Sequence, residues 1–304
     1  MISSTPIFYF PTKKLLLDDD KTFAQSVLLK MYGKNFIDFT SPQQALNFLN
    51  DEYKPCFDKN QLISFEESTA TQQTISIQID KIKQFFNTPY QQDISVVLVD
   101  YHMPEMLGTE FLTKIQHYPI KKILITGEHD SQIAINAFNN GLVNAYIRKD
   151  DPEFSYKIQS MVAELEWQYF THYSQGTITN IPELQFLTNA SFIQTFKQYI
   201  ADNNISAFYL MDMYGSFCIH LPSGEHSYFL IRSRSFLNQL AESAKEDGAS
   251  QETVKKIAEG KAIPFFADKN YWEISADQWD QYLYDAHPLP GDNDFVWTIT
   301  QRSF

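Results

Sequence analysis

The sequence predicts an α/β first half, a doubly wound five-stranded parallel sheet, followed by a small α+β domain with an antiparallel sheet. Three observations carry this expectation. The run Val96–Val99 is unbroken apolar sequence ending on a single acid, Asp100, as in a strand buried on both faces that stops abruptly at solvent. Around it, short apolar segments alternate with segments of helical spacing, the repeat that builds parallel sheets. In the second half, strand-like segments follow one another directly through Gly and Pro turns, which is the grammar of antiparallel pairing.

With 304 residues the chain is long enough for two domains of roughly 150 residues each. No apolar run approaches the ~20 residues of a membrane span, and MISSTPIFYFPTKK lacks the basic and apolar regions of a signal peptide, so a cytoplasmic location is expected. Cys56 and Cys218 have neither zinc nor disulfide spacing and read as reduced structural thiols. The formal charge is −13: residues 1–152 hold 14 Lys/Arg against 18 Asp/Glu, and residues 153–304 hold 10 against 19. Nucleic-acid binding draws on clustered positive charge, so the more acidic second half is a poor candidate for it.

In chain order, KLLL at Lys14–Leu17 is a short strand that breaks into Asp18, Asp19 and Asp20. Three successive carboxylates repel one another unless solvent or a cation compensates them; taken alone they read as a solvated turn capping the helix that follows. Asn35–Thr40 is the second strand, and Ser41–Asn50 a helix with Pro42 at its first position. Residues 51–93 are too long for a βα connection and are expected to be an insertion, a mobile loop plus one amphipathic helix in IQIDKIKQFF. That helix either packs Ile79, Ile82 and Phe86 against the domain or docks a partner.

The central strand delivers Asp100 to the carboxyl edge of the sheet, where open α/β sheets place their chemistry. In isolation Asp100 reads more simply as a helix cap. Helix is expected over Gly108–Tyr118, strand over Lys121–Ile125 ending in Thr126 and Gly127, and helix over Asp130–Asn140 with Gly141 as left-handed cap. The last strand, Val143–Ile147, brings Lys149 to the same edge, and Asp151 and Pro152 restart a helix reaching about Tyr173.

Taken together, LLLDDD, VVLVDYHMP, ILITGEHD, AFNNG and YIRK resemble, in order and strand position, the CheY-like receiver domain of two-component response regulators. The resemblance spans about Lys13 to Arg148 and continues into the final helix, roughly half of the chain. It implies a flavodoxin-like sheet and a division into a receiver over residues 1–173, with its insertion at 51–93 and an extended last helix at 152–173, and an output domain over 174–304. It implies that Asp100 accepts a phosphoryl group from a sensor histidine kinase. Mg²⁺ is implied as cofactor, held by Asp19, by Asp18 largely through water, by Asp100 and by the backbone carbonyl of His102. Lys149 is implied as the phosphoryl-oxygen donor, Thr126 as the hydroxyl that bonds the aspartyl phosphate, and Tyr146 as the aromatic switch. The insertion and His102 depart from the family pattern; the His side chain either modulates dephosphorylation or faces solvent.

In the second half, helix is expected over Ser191–Ala201, strands over Ala207–Asp212, Ser216–Leu221 and Glu225–Ile231, helices over Ser235–Glu246 and Ser250–Glu259, and a closing strand over Phe295–Gln301. Residues 264–267 are expected to be extended. There is no GxxxxGK[ST], HExxH or GxSxG, and the histidines show no ligand spacing. Asp212, Gly215 and Ser216 tempt a nucleophile reading, but a hairpin turn explains them better. Tyr271, Trp272, Trp279, Tyr282 and Tyr284 line either a groove or, more simply, a core or interface. The layout is also similar to the quorum-sensing response regulators of Legionella, which implies density-dependent regulation.

The function expected is a phosphorylation-controlled switch that dimerises through its last helix and presents an output domain binding protein. Its only expected enzymatic activity is its own phosphoryl transfer and dephosphorylation. The alternatives are an unrecognised enzyme or nucleotide-binding output module and, less favoured, a DNA-binding one. Neither nucleic acid nor membrane is an expected partner.

Overall fold

The computed structural model describes residues 4–31, 35–51, 53, 63–67, 73–86, 93–127, 130–178, 181–266 and 273–300. The chain folds as two compact units: Pro11–Leu62 with Phe85–Tyr173, and Met1–Phe10 with Ile63–Gln84 and Ser174–Phe304.

The first strand, β1 (Phe8–Tyr9), belongs to the second of these units. The other unit opens with β2 (Lys13–Leu17), α1 (Lys21–Lys30), β3 (Phe36–Phe39) and α2 (Pro42–Asp51). Within the insertion lie β4 (Ile63–Glu67), β5 (Gln73–Ile77) and α3 (Ile79–Phe86). The α/β pattern then resumes with β6 (Ile94–Asp100), α4 (Gly108–Lys114), β7 (Lys121–Thr126), α5 (Ser131–Asn139), β8 (Ala145–Arg148) and α6 (Phe154–Ile178).

Five strands form one sheet in the order β3-β2-β6-β7-β8, and every pair is parallel. This is the flavodoxin-like order, with its switch point between β2 and β6. The period-two geometry of a strand sends alternate side chains to opposite layers. Leu15, Leu17, Val97, Val99 and Leu124 join Ala45, Leu49, Phe111, Leu112 and Ala134 on one face. Leu16, Val96, Leu98, Ile123 and Ile125 join Val27, Phe154, Ile158 and Val162 on the other. At the amino edge of the sheet a buried ion pair, Lys14 Nζ to Glu166 Oε1 at 2.5 Å, ties β2 to α6, and Thr12 also donates to that carboxylate.

Two expectations are corrected. The insertion is not a plain loop before its helix: Ile63–Glu67 and Gln73–Ile77 pair as an antiparallel ladder. Both segments alternate β-branched or aromatic residues with polar ones, a strand signal that the Thr/Gln-rich composition between them obscured. The compact units also differ from a simple division at residue 173, since Met1–Phe10 and Ile63–Gln84 belong with the C-terminal unit. For the N-terminus the cause is explicit: Phe8 and Tyr9 pair antiparallel with Tyr209 and Phe208.

The C-terminal unit continues through a 3₁₀ segment (Pro182–Thr188), α7 (Ala190–Asp202), β9 (Ala207–Leu210), β10 (Ser216–His220), β11 (His226–Ser233), α8 (Arg234–Glu246) and α9 (Gln251–Ala258). It closes with β12 (Ala262–Pro264), β13 (Leu283–Asp285), β14 (His287–Leu289) and β15 (Asp292–Thr300). Its main sheet is antiparallel, in the order β1-β9-β10-β11-β15-β14. One face is an aromatic core in which the Phe196 ring lies 4.8–4.9 Å from those of Phe208, Phe217 and Phe229. Such edge-on and tilted pairs add to the gain from burial.

Gly215 stands at φ 98°, and a Cβ there would lie 2.6 Å from the Ile231 carbonyl oxygen, so the turn before β10 requires glycine on both counts. Among the described residues no helix is long and apolar enough to cross a membrane.

Candidate functional site

The carboxyl ends of β2 and β6 flank the switch point, and the chain places one acid beyond the first and one at the end of the second. Asp18 is fully buried, Asp100 is 5% exposed, and Asp19 faces solvent. One carboxylate oxygen from each of Asp18, Asp19 and Asp100 lies within 4.8 Å of the others. The capping role expected of the triple acid falls to Asp20 alone, whose side chain accepts from Thr22 N and Phe23 N at the start of α1. Asp18 Oδ1 in turn accepts from Asp20 N at 2.9 Å, which fixes its carboxylate.

Lys149, just beyond β8, reaches back to this cluster. Its Nζ lies 2.8 Å from Asp18 Oδ2 and 3.0 Å from Asp100 Oδ1, and 4.4 Å from the centre of the Phe23 ring. The backbone N–H of Lys149 donates to Thr126 O at 2.8 Å, which locks the ends of β7 and β8 together. Thr126 is fully buried, with its hydroxyl donating at 3.5 Å to Ile147 O. Tyr146 is half-buried and stands edge-on to Phe138 at 6.2 Å. The His102 side chain is 65% exposed, and its Nε2 lies 3.1 Å from Asp130 Oδ1.

Burial, followed by the neighbouring charge of Asp18, pushes the Asp100 carboxyl up to about 6, with Lys149 partly offsetting them. Burial also raises Asp18, again against Lys149 and the Asp20 N–H. For Lys149 burial acts downward, but its bonds to Asp18 and Asp100 outweigh it and the ammonium is held above its ordinary range. Three acids against one lysine leave the site short of positive charge. Asp18 Oδ2 is fully buried and has the Lys149 ammonium 2.8 Å away as its ion-pair partner. An all-oxygen donor set with surplus negative charge fits a hard divalent cation such as Mg²⁺, and Asp18, Asp19 and Asp100 are the side chains placed to hold it.

Two residues of this site carry roles that the sequence reading missed. A Cβ on Gly108 would sit 2.3 Å from Asp100 O, while Gly108 N donates to Tyr101 O at 2.8 Å. The loop can therefore close against the end of β6 only on glycine. Phe23, under the lysine head, gave no sequence signal beyond its place on α1.

Elsewhere the nucleophile reading of Asp212 and Ser216 gives way to the turn. Asp212 accepts from Tyr214 N and Ser216 N, and Ser216 Oγ accepts from Arg232 at 2.7 Å. Trp279 is buried and packs at 5.1 Å against Phe266, in keeping with a core role. Tyr271, Trp272 and Cys56 lie outside the described residues.

The family model of the response regulator receiver domain matches residues 58–155, a span that holds Asp100, Thr126, Tyr146 and Lys149. Among solved structures, the response regulator LqsR of Legionella pneumophila aligns over 100% of this chain and 91% of its own, at 27% identity and a TM-score of 0.81. An adenylate cyclase from Rhodopirellula baltica aligns over 54% of this chain and 93% of its own, at 20% identity and a TM-score of 0.39. A receiver domain protein from Clostridium thermocellum aligns over 54% and 98%, at 19% and 0.34. No curated protein matches the chain. The acid cluster at the switch point, the lysine that bridges it, the family match and the full-length likeness to LqsR agree: the parallel-sheet unit has the flavodoxin-like receiver fold, and residues 58–155 match the response regulator receiver domain.

Proposed function

We propose that the protein is a phosphorylation-controlled switch in which Asp100 is the phosphoacceptor. The observation that carries this reading is the position of Lys149 Nζ between Asp18 and Asp100 at the sheet's switch point. An Asp100 carboxylate oxygen attacks the phosphorus of a phosphohistidine on a sensor kinase. The new O–P bond forms as the P–N bond breaks, and the imidazole, already protonated at its other nitrogen, leaves neutral with the electron pair. Asp18, Asp19, Asp100 and the backbone carbonyl of His102 would hold Mg²⁺, which would supply the positive charge that lets an anionic nucleophile meet an anionic phosphoryl group.

Lys149 then shifts from carboxylate to phosphoryl oxygen, and the Thr126 hydroxyl exchanges its long bond to Ile147 O for one to the phosphate. That draws Thr126 toward the site and opens room into which the half-buried Tyr146 ring turns. The rearrangement biases a two-state equilibrium toward a dimer formed through the last helix, with the C-terminal unit as a protein-binding output. The likeness to LqsR supports a place in density-dependent signalling.

Light scattering of the full chain with and without beryllofluoride and Mg²⁺ tests the switch. The mass is expected to move from monomer toward dimer with the phosphoryl mimic; equal masses across a wide concentration range would overturn the dimerisation step.

A further inference from the structure

The C-terminal sheet has a second face, and three side chains with metal-binding chemistry meet on it. In β10, Cys218 and His220 are two residues apart and share a face, opposite to that of Phe217 and Ile219. The strands turn at Leu221–Glu225, and β11 returns with His226 directly opposite His220 and Tyr228 opposite Cys218. The hairpin register thereby joins residues that read as scattered in the sequence. One ligand atom each from Cys218, His220 and His226 lies within 4.8 Å of the others.

The details suit coordination. Cys218 Sγ and His226 Nδ1 are 3.6 Å apart. A tetrahedral ion ~2.3 Å from sulfur and ~2.0 Å from nitrogen would set those two atoms ~3.5 Å apart. The rings of His220 and His226 lie 4.4 Å apart at a tilt of 40°, and the third ligand atom falls within 4.8 Å of the other two. Burial, followed by the proximity of His226, lowers His220 to about 4, which keeps its imidazole neutral near pH 7 with a lone pair to give. The site grades from the buried Cys218 through the half-buried His220 to the exposed His226, which leaves a path for an ion from solvent. The backbone frame is also set, because β10 is paired on both sides, by β9 and β11.

We propose that Cys218, His220 and His226 form a three-ligand site for a thiophilic divalent transition metal of the Zn²⁺ class. A thiolate with two imidazoles selects such ions over Mg²⁺, which takes oxygen ligands. On binding, the Cys218 thiol gives its proton to solvent and its sulfur becomes the anionic ligand. Three protein ligands leave the fourth tetrahedral position to water. The site is separate from the acid cluster at Asp100 and does not depend on the phosphoryl-transfer reading.

The test uses the full chain with Mg²⁺ in excess, so that the oxygen site is not the one reported. Co²⁺ is added as the spectroscopic probe, and Zn²⁺ affinity is measured by competition with a chromophoric chelator. The wild type and Cys56→Ser are expected to show a thiolate-to-cobalt absorption band saturating at one equivalent and bleached by Zn²⁺, and Cys218→Ser to lose it. His226→Asn, at an exposed position, is expected to keep the circular dichroism of the wild type and to bind Zn²⁺ about a hundredfold more weakly. Absence of the band in the wild type, its retention in Cys218→Ser, or unchanged Zn²⁺ affinity in a folded His226→Asn would each overturn the proposal.

Discussion

Lys149 Nζ lies 3.0 Å from Asp100 Oδ1, so the cation is in place before any phosphoryl group arrives. A preorganised donor costs no reorganisation at the moment of transfer. Lys149→Ala is expected to slow labelling by acetyl phosphate about a hundredfold, the order seen when one positioned donor is removed. Timed intact-mass measurements in saturating Mg²⁺ would check this, and a wild-type rate would remove Lys149 from the mechanism.

The reactive form of Asp100 is the carboxylate, and burial with the Asp18 charge raises its pKa to about 6. In the metal-free protein the carboxylate fraction of Asp100, followed by NMR of its carboxyl carbon, is expected to climb with pH and level off above that value. The same shift has a stability consequence of definite sign. A carboxyl raised in the fold favours the protonated native state, so its destabilisation is absent below the unfolded value, grows as pH rises, and is complete above about 6. Asp100→Asn is therefore expected to raise stability at pH 7.5 by roughly 1–2 kcal/mol, less than the full shift because its pair with Lys149 is also lost. Urea unfolding at pH 7.5 and pH 4 would show the difference shrinking at the lower pH.

Gly108 is held by a backbone contact rather than by a positive φ, since a Cβ there meets Asp100 O at 2.3 Å. Gly108→Ala is expected to destabilise the fold by about 1–3 kcal/mol through overpacking and to displace the loop after Asp100. Labelling is thus expected to fall in protein that remains folded, which thermal unfolding run beside the labelling assay would separate from simple loss of structure.

In the C-terminal unit Arg232 is 5% exposed and donates to Tyr214 O, Ile231 O and Ser216 Oγ, with Asp212 at 3.8 Å. Arg232→Ala would leave three acceptors without this donor, two of them buried. A loss of about 3 kcal/mol is expected. Chemical denaturation followed by tryptophan fluorescence would measure it, with labelling at Asp100 as a check on the rest of the chain.

The parallel sheet was legible because its signals are local: each strand is one apolar run, and each functional residue stands where a run ends. Asp18, Asp100, Thr126 and Lys149 meet at the sheet edge expected of them because parallel register carries every strand's carboxyl end to the same side. Long-range pairing was not legible. Phe8 and Tyr9 pair with residues some two hundred positions away, and two residues carry no periodicity to announce a strand. The antiparallel ladder of Ile63–Glu67 with Gln73–Ile77 was hidden by polar composition. Cys218, His220 and His226 were overlooked because their closeness depends on cross-strand register, which no linear spacing rule encodes. Gly108 was invisible as a packing residue for the same reason, since its constraint is an atom of Asp100.

The central claim is that Asp100 takes the phosphoryl group. Intact-mass spectrometry of the full chain after acetyl phosphate and Mg²⁺, with peptide mapping of the adduct, tests it directly. One phosphoryl group on Asp100 is expected in the wild type, lost on chelating Mg²⁺ and lost in Asp100→Asn. Equal labelling of wild type and Asp100→Asn, or an adduct mapped to another residue, would contradict the account.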